Sequence, residues 1–113
     1  MGYEEALRLI EEARETGATE LDLSRQLLTE LPSQLFELTN LTWLNLVQNQ
    51  LTCLPPEFFQ LKNLITLFLW DNQLSSLPIE IVQLAKLELF WLNYNQLNIL
   101  PPEIVLLPKL DDF

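Results

Sequence analysis

From residue 18 onward the chain repeats itself every 23 residues, and this period constrains its fold more than any other property. The frames are 18–40, 41–63, 64–86 and 87–109, with 110–113 opening a fifth. The fourth residue of the frames is Leu21, Leu44, Leu67 and Phe90, and the sixth is Leu23, Leu46, Leu69 and Leu92. Leu28, Leu51, Leu74 and Leu97 align next, then Leu31, Leu54, Leu77 and Leu100, each followed by a proline: Pro32, Pro55, Pro78 and Pro101. Leu35, Phe58, Ile81, Ile104 and then Leu38, Leu61, Leu84, Leu107 complete the apolar columns. A unit this short cannot bury an apolar face alone, so the frames must stack, each against its neighbours.

Within a frame the fourth and sixth positions are apolar and their neighbours vary, which is the period of a strand that buries one face. Strands are expected near 20–24, 43–47, 66–70 and 89–93, stacked in parallel about 4.8 Å apart. Asn49, Asn72 and Asn95 follow the strands. There a short amide can bond the backbone of the turning chain, so an asparagine ladder is expected. Each proline keeps the preceding leucine extended and presets φ for a helical turn, with Glu57, Glu80 and Glu103 near its start. Short helical turns therefore belong on the outer, convex side.

Written as a pattern, the frames read L-x-x-L-x-L-x-x-N-x-L-x-x-L-P-x-x-I/F-x-x-L over residues 18–109. This resembles the leucine-rich repeat family in its 23-residue bacterial form. It is more loosely similar to the repeats that precede the GTPase module of some Roco proteins. The first frame departs from the pattern, with Ala18 for the opening Leu and Gln26 for the Asn. The resemblance implies an α/β right-handed solenoid with its parallel sheet on the concave face, short helical turns on the convex face, and a non-catalytic role in protein–protein interaction.

Residues 3–15 follow a helical period instead. Tyr3, Leu7, Ile10 and Arg14, with Ala6 and Ala13 alongside, mark one face, and Glu4, Glu5, Glu11, Glu12 and Glu15 occupy the other. Gly17 is placed to end the helix. A solenoid end would otherwise expose its leucine layers, so residues 1–17 are assigned as an amino-terminal cap and 18–113 as the repeats. The acidic start, Tyr3-Glu4-Glu5, is unlike a secretory leader, and Ala6 stands where a myristoylation signal has Ser or Thr. Apolar stretches are far too short to span a bilayer. A cytoplasmic protein without a membrane partner is expected.

The remaining composition narrows the chemistry. Sixteen acidic residues against six basic ones give a net charge of −10, which repels a phosphate backbone. Nucleic acid is not an expected partner. With no His, one Cys and two Gly, the chain lacks the parts of His-based acid/base catalysis, Cys/His metal clusters and Gly-rich phosphate loops. No catalytic residue, metal or cofactor is expected. Glu20 and Asp22 share a face but without a cleft or second functional group read as solvated charges. Cys53 has no activating base and is expected to be packed or half-buried.

The third, fifth, seventh and eighth residues of each frame point away from the leucine core onto the open face of the sheet. They place Trp43, Phe68, Trp70, Leu89, Trp91 and Tyr94 there, with Phe68 beside Trp91. All three tryptophans fall on this face. Aromatics bring large contact area with few rotors, and exposed apolar clusters mark interaction sites. These residues are the candidate site for a protein or peptide, and Glu20, Asp22 and Asp71 on its rim favour a basic partner. Cross-strand pairing that merely stabilises the sheet is the competing role. A regulatory segment of a larger Roco-type GTPase and a structural or engineered scaffold are alternative functions. Leu110 and Phe113 repeat the first and fourth positions of a frame. A stack that stopped there would leave Ile104, Leu107, Leu110 and Phe113 against solvent. A longer repeat array or a homodimer through that end or the concave face is expected to cover them.

Overall fold

One strand per repeat builds the sheet, as the period requires. The computed structural model describes residues 2–97 and 101–106. Among them, helix α1 (Tyr3–Thr16) precedes strands β1 (Glu20–Asp22), β2 (Trp43–Asn45), β3 (Thr66–Phe68) and β4 (Leu89–Trp91). Each strand is followed by a 3₁₀ turn: Ser33–Glu37, Pro56–Gln60, Ile79–Gln83 and Pro102–Leu106. The strands lie in the order β1-β2-β3-β4, all parallel. Equivalent frame positions pair throughout: Asp22 with Asn45, Asn45 with Phe68, and Phe68 with Trp91. Leu107, Leu110 and Phe113 lie outside the described residues, as do Leu100 and Lys109.

The strands are shorter than the alternation predicts, three residues each. The hydrogen-bond ladder nevertheless continues past them: Leu23 N–H donates to Asn45 O at 2.8 Å and Arg25 N–H to Val47 O at 3.0 Å. Leu46 and Gln48 repeat this on Phe68 and Trp70, and Leu69 and Asp71 on Trp91 and Asn93. What ends the ladder is backbone twist. Arg25, Gln48, Asp71 and Tyr94, the eighth residues of the frames, all have φ between 57° and 59°, the left-handed region. Asp22 and Asn45 add a side-chain bond to the N–H two residues on, Ser24 at 2.9 Å and Val47 at 3.0 Å.

The predicted columns form one continuous core. Leu21, Leu44, Leu67 and Phe90 are buried, as are Leu23, Leu46, Leu69 and Leu92. Phe36 and Phe59, the nineteenth residues of their frames, join them unpredicted. Phe36 meets Phe58 edge-on at 6.2 Å and Phe59 meets it at 5.5 Å. Each proline sits one residue before the turn or at its edge and lends its carbonyl: Leu35, Phe58, Ile81 and Ile104 donate to Pro32, Pro55, Pro78 and Pro101 at 3.0–3.1 Å. Ile104 is buried rather than turned to solvent as expected, because the fourth turn packs on the third.

Helix α1 packs on β1 and the first turn, ending at Gly17 in the left-handed conformation (φ 65°). Its buried face is part of the expected one. Ala6, Ile10 and Ala13 are buried, whereas Tyr3 and Arg14 are exposed and Leu7 is half-buried. Two alanines let the helix axis approach the sheet closely, and that approach selects the Ala6-Ile10-Ala13 stripe. On the outer side Arg8 forks onto Glu5 at 2.6 and 3.0 Å, and Arg14 onto Glu11 at 2.9 Å. The Arg8 hydrogen bond holds the Glu5 carboxyl below its usual pKa.

The asparagine ladder is present and fully bonded. Asn72 donates from Nδ2 to Leu46 O at 2.9 Å and Leu69 O at 3.1 Å, and its Oδ1 accepts Leu51 N–H at 3.1 Å. Asn49 does the same with Leu23, Leu46, Gln26 and Leu28, and Asn95 with Leu69, Leu92 and Leu74. Gln26 explains the departure in the first frame. With no earlier repeat to bond, its longer side chain accepts Gly2 N–H at 3.0 Å and ties the cap helix down. Asn72→Ala strands the Leu51 N–H and removes one of the two amide bonds at Leu46 O and at Leu69 O, and should destabilise the fold by about 1–3 kcal/mol, read as a lower denaturation midpoint. Leu27 is exposed with φ 59°. Leu27→Asn should stabilise the fold by about 0.5–1 kcal/mol, read as a higher midpoint, because asparagine tolerates that conformation.

Candidate functional site

The side chains that alternate away from the core form one face across β1 to β4. Trp43, Phe68 and Trp91 occupy strand positions whose neighbours Leu44, Leu67 and Phe90 are buried. No tryptophan belongs to the core. Trp43 meets Phe68 edge-on with ring centroids 5.9 Å apart, and Phe68 lies on Trp91 at 4.5 Å with planes tilted by 31°. Trp70 meets Tyr94 edge-on at 5.4 Å. The sheet thus carries an aromatic strip from β2 to β4 and a second pair just beyond the strand ends.

Mutual contact covers much of this surface. Trp43, Phe68, Trp70 and Leu89 are half-buried, while Trp91 is 42% and Tyr94 72% exposed. The inner aromatics therefore act as backing for the outer two. Tyr94 is also in the left-handed conformation at φ 59°, a costly place for a bulky residue, and this turn aims its ring at Trp70. That backbone feature gave no signal in the sequence, since Arg25, Gln48 and Asp71 share the column.

Polar groups occupy the other end. Glu20, Asp22 and Asp71 are exposed, and among the described residues none of them lies within ion-pairing distance of Lys or Arg. Arg25 Nε instead donates to Gln48 Oε1 at 2.6 Å, and Gln48 Nε2 donates to Asp71 Oδ2 at 3.4 Å. The eighth column is thus a side-chain ladder, legible only once the repeats are stacked. Asn45 spends its Oδ1 on Val47 N–H, and its Nδ2 has no bond to a described residue.

Cys53 is a correction. It is exposed, not packed or half-buried, and lines a 350 Å³ groove on the flank between the first two repeats with Glu30, Phe36, Pro55 and Glu57. Its column, with Glu30 and Ser76, faces solvent. Among the described residues no three His, Cys, Asp or Glu side chains gather as metal ligands would, and no helix is long and apolar enough to cross a membrane.

Parallel strands one repeat apart, a bonded asparagine ladder and leucine layers define a repeat solenoid with a side-chain-bearing open face. The leucine rich repeat family model matches residues 16–74 and again 39–97. The chain belongs to the leucine-rich repeat family, in its bacterial type. It is similar to a leucine-rich repeat protein of Leptospira interrogans, with 36% identity and a TM-score of 0.74 over 91% of this chain and 33% of that one. It is also similar to the leucine-rich repeat domain of a Shigella effector, with 33% identity and a TM-score of 0.68 over 87% of this chain and 41% of that one. The chain therefore spans about a third and two fifths of the lengths of these two structures. No curated protein matches it at a significant level. Members of this family are in general non-catalytic protein–protein interaction modules.

The Phe68–Trp91 contact makes a direct test of how far the aromatics hold one another. A double-mutant cycle with Phe68→Ala and Trp91→Ala should return a coupling of about 0.5–1.5 kcal/mol in chemical denaturation.

Proposed function

We propose that the chain is a non-catalytic module that binds a protein or peptide through the concave face formed by Trp43, Phe68, Trp70, Leu89, Trp91 and Tyr94. The observation that carries this reading is the pair of exposed rings, Trp91 and Tyr94, each backed by a half-buried aromatic in direct contact. Such rings are held in place before a partner arrives, so contact with them loses little side-chain entropy. Aromatics of this kind dominate binding hot spots. A sheet-stabilising role accounts for the contacts among the rings but not for the large area that Trp91 and Tyr94 leave in water.

The partner is basic. Glu20, Asp22 and Asp71 flank the aromatic strip, and the net charge of −10 steers a positive molecule toward the protein. Trp91→Ser and Trp70→Ser should each weaken a captured partner by about 2 kcal/mol or more in calorimetry, with the circular dichroism spectrum retained. If these variants unfold, the aromatics serve the sheet and the binding role is lost. Charge reversal at Asp71, Asp71→Lys, should slow association more than it speeds dissociation, measured by surface plasmon resonance at low and high salt.

A further inference from the structure

Polarity along one column of the open face runs in one direction. That register column, the fifth residues, reads Asp22, Asn45, Phe68, Trp91 from β1 to β4. The third residues read Glu20, Trp43, Thr66 and Leu89, so Glu20 stands beside Asp22 on the first repeat. Along the fifth column a carboxylate therefore stands on the first repeat and rings on the third and fourth, in line across the strands, with Asp71 off that column. Trp91 and Asp22 are three strand spacings apart, or about 14 Å.

Building on the concave face as a peptide-binding surface, we propose that its occupant is an extended segment crossing the strands, with an Arg or Lys over Glu20 and Asp22 and an apolar or aromatic residue on Trp91. An extended chain advances about 3.4 Å per residue, so the two anchors are about four positions apart. In an extended segment residues i, i+2 and i+4 face the same way, so both anchors reach the sheet together. The residue between them lies over Asn45 and Phe68, where the column changes from polar to aromatic.

Two observations favour this occupant over others. Asn45 Nδ2 has no bond to a described residue and sits one strand in from Asp22 along the track, where the bare carbonyls of an extended backbone can accept from it. A helix has already satisfied its own carbonyls. A second copy of this chain would bring its own net charge of −10 to carboxylates that lack ion-pair partners among the described residues, so the charge complement is a basic segment.

The test is selection of a phage-displayed library of random dodecapeptides on the immobilised full chain, followed by titration of the selected peptides against variants. The expected peptides carry Arg or Lys four positions from Trp, Phe, Leu or Ile. The double variant Glu20→Gln/Asp22→Asn should bind them about tenfold more weakly, and should show little further loss when salt is raised. Its fold should persist, because the amide oxygen introduced by Asp22→Asn can still accept the Ser24 N–H that Asp22 Oδ1 holds now. Peptides that need Trp91 but carry no basic residue at that spacing, or that place it about eight or nine positions away as a helix spanning the same distance would, overturn the bipartite extended occupant and leave the aromatic-face reading standing. Peptides that bind Trp70→Ser and Trp91→Ser as tightly as wild type overturn both.

Discussion

Each asparagine amide of the ladder is bonded to two repeats at once, and the rest of the molecule depends on that double attachment. Asn72 holds the carbonyls of Leu46 and Leu69 and the N–H of Leu51, while buried to 5% exposure. These groups belong to chain that has left the sheet, and without the amide the Leu51 N–H would remain unpaired while each carbonyl would keep only the neighbouring asparagine. Bringing the amide inward requires a sharp turn just before it. The left-handed eighth residues supply that turn, three residues after each strand ends. The turn recurs at Arg25 before Gln26, so the repeat backbone holds it in the first frame as well, and at Tyr94 the same turn places the ring.

The sequence was legible wherever burial was periodic. Leu21 through Leu92 in the fourth and sixth columns could be placed in the core because their alternation has one structural solution, and their register then placed the aromatics opposite. The asparagine ladder was legible from Asn49, Asn72 and Asn95, but the backbone turn beside it was not. The left-handed turn falls on Arg25, Gln48, Asp71 and Tyr94, which share no chemical property, so no residue type announces it. Cys53 misled for a related reason. A cysteine alone suggests burial, but Glu30 and Ser76 in its column already marked that flank as wet. Column membership is the better guide in a stack, because a solenoid position has one environment whatever residue fills it.

The cap helix shows the same limit from the other side. It lies outside the period, so only its own helical pattern could predict its contact face, and Tyr3, Ala6, Leu7, Ile10, Ala13 and Arg14 make a face wider than the contact. Close packing narrowed it to Ala6, Ile10 and Ala13. Gln26 completes the docking by reaching Gly2 where later repeats have asparagine. What reads as a defect in the first frame is the adaptation of a repeat with no predecessor. Its longer side chain bonds the helix instead of an earlier strand.

Positions that the core does not use are free to differ from repeat to repeat, and this freedom separates folding from recognition in a solenoid. Replacing Leu67 would disturb the layers on both sides, whereas the fifth column runs from Asp22 to Trp91 with no change in backbone register. Charge obeys the same division. On α1, Arg8 and Arg14 hold Glu5, Glu11 and Glu12 in wet pairs that contribute little to stability. The open face receives no such neutralisation from the described residues at Glu20 and Asp22. Carboxylates left uncompensated on the same rigid sheet as exposed rings are not required by the stack, which would fold as well around neutral side chains there. Asp22 at one end of the fifth column and Phe68 and Trp91 at the other give that column a polarity that the repeat itself does not impose, and a ligand that matches it can lie across the strands in only one direction.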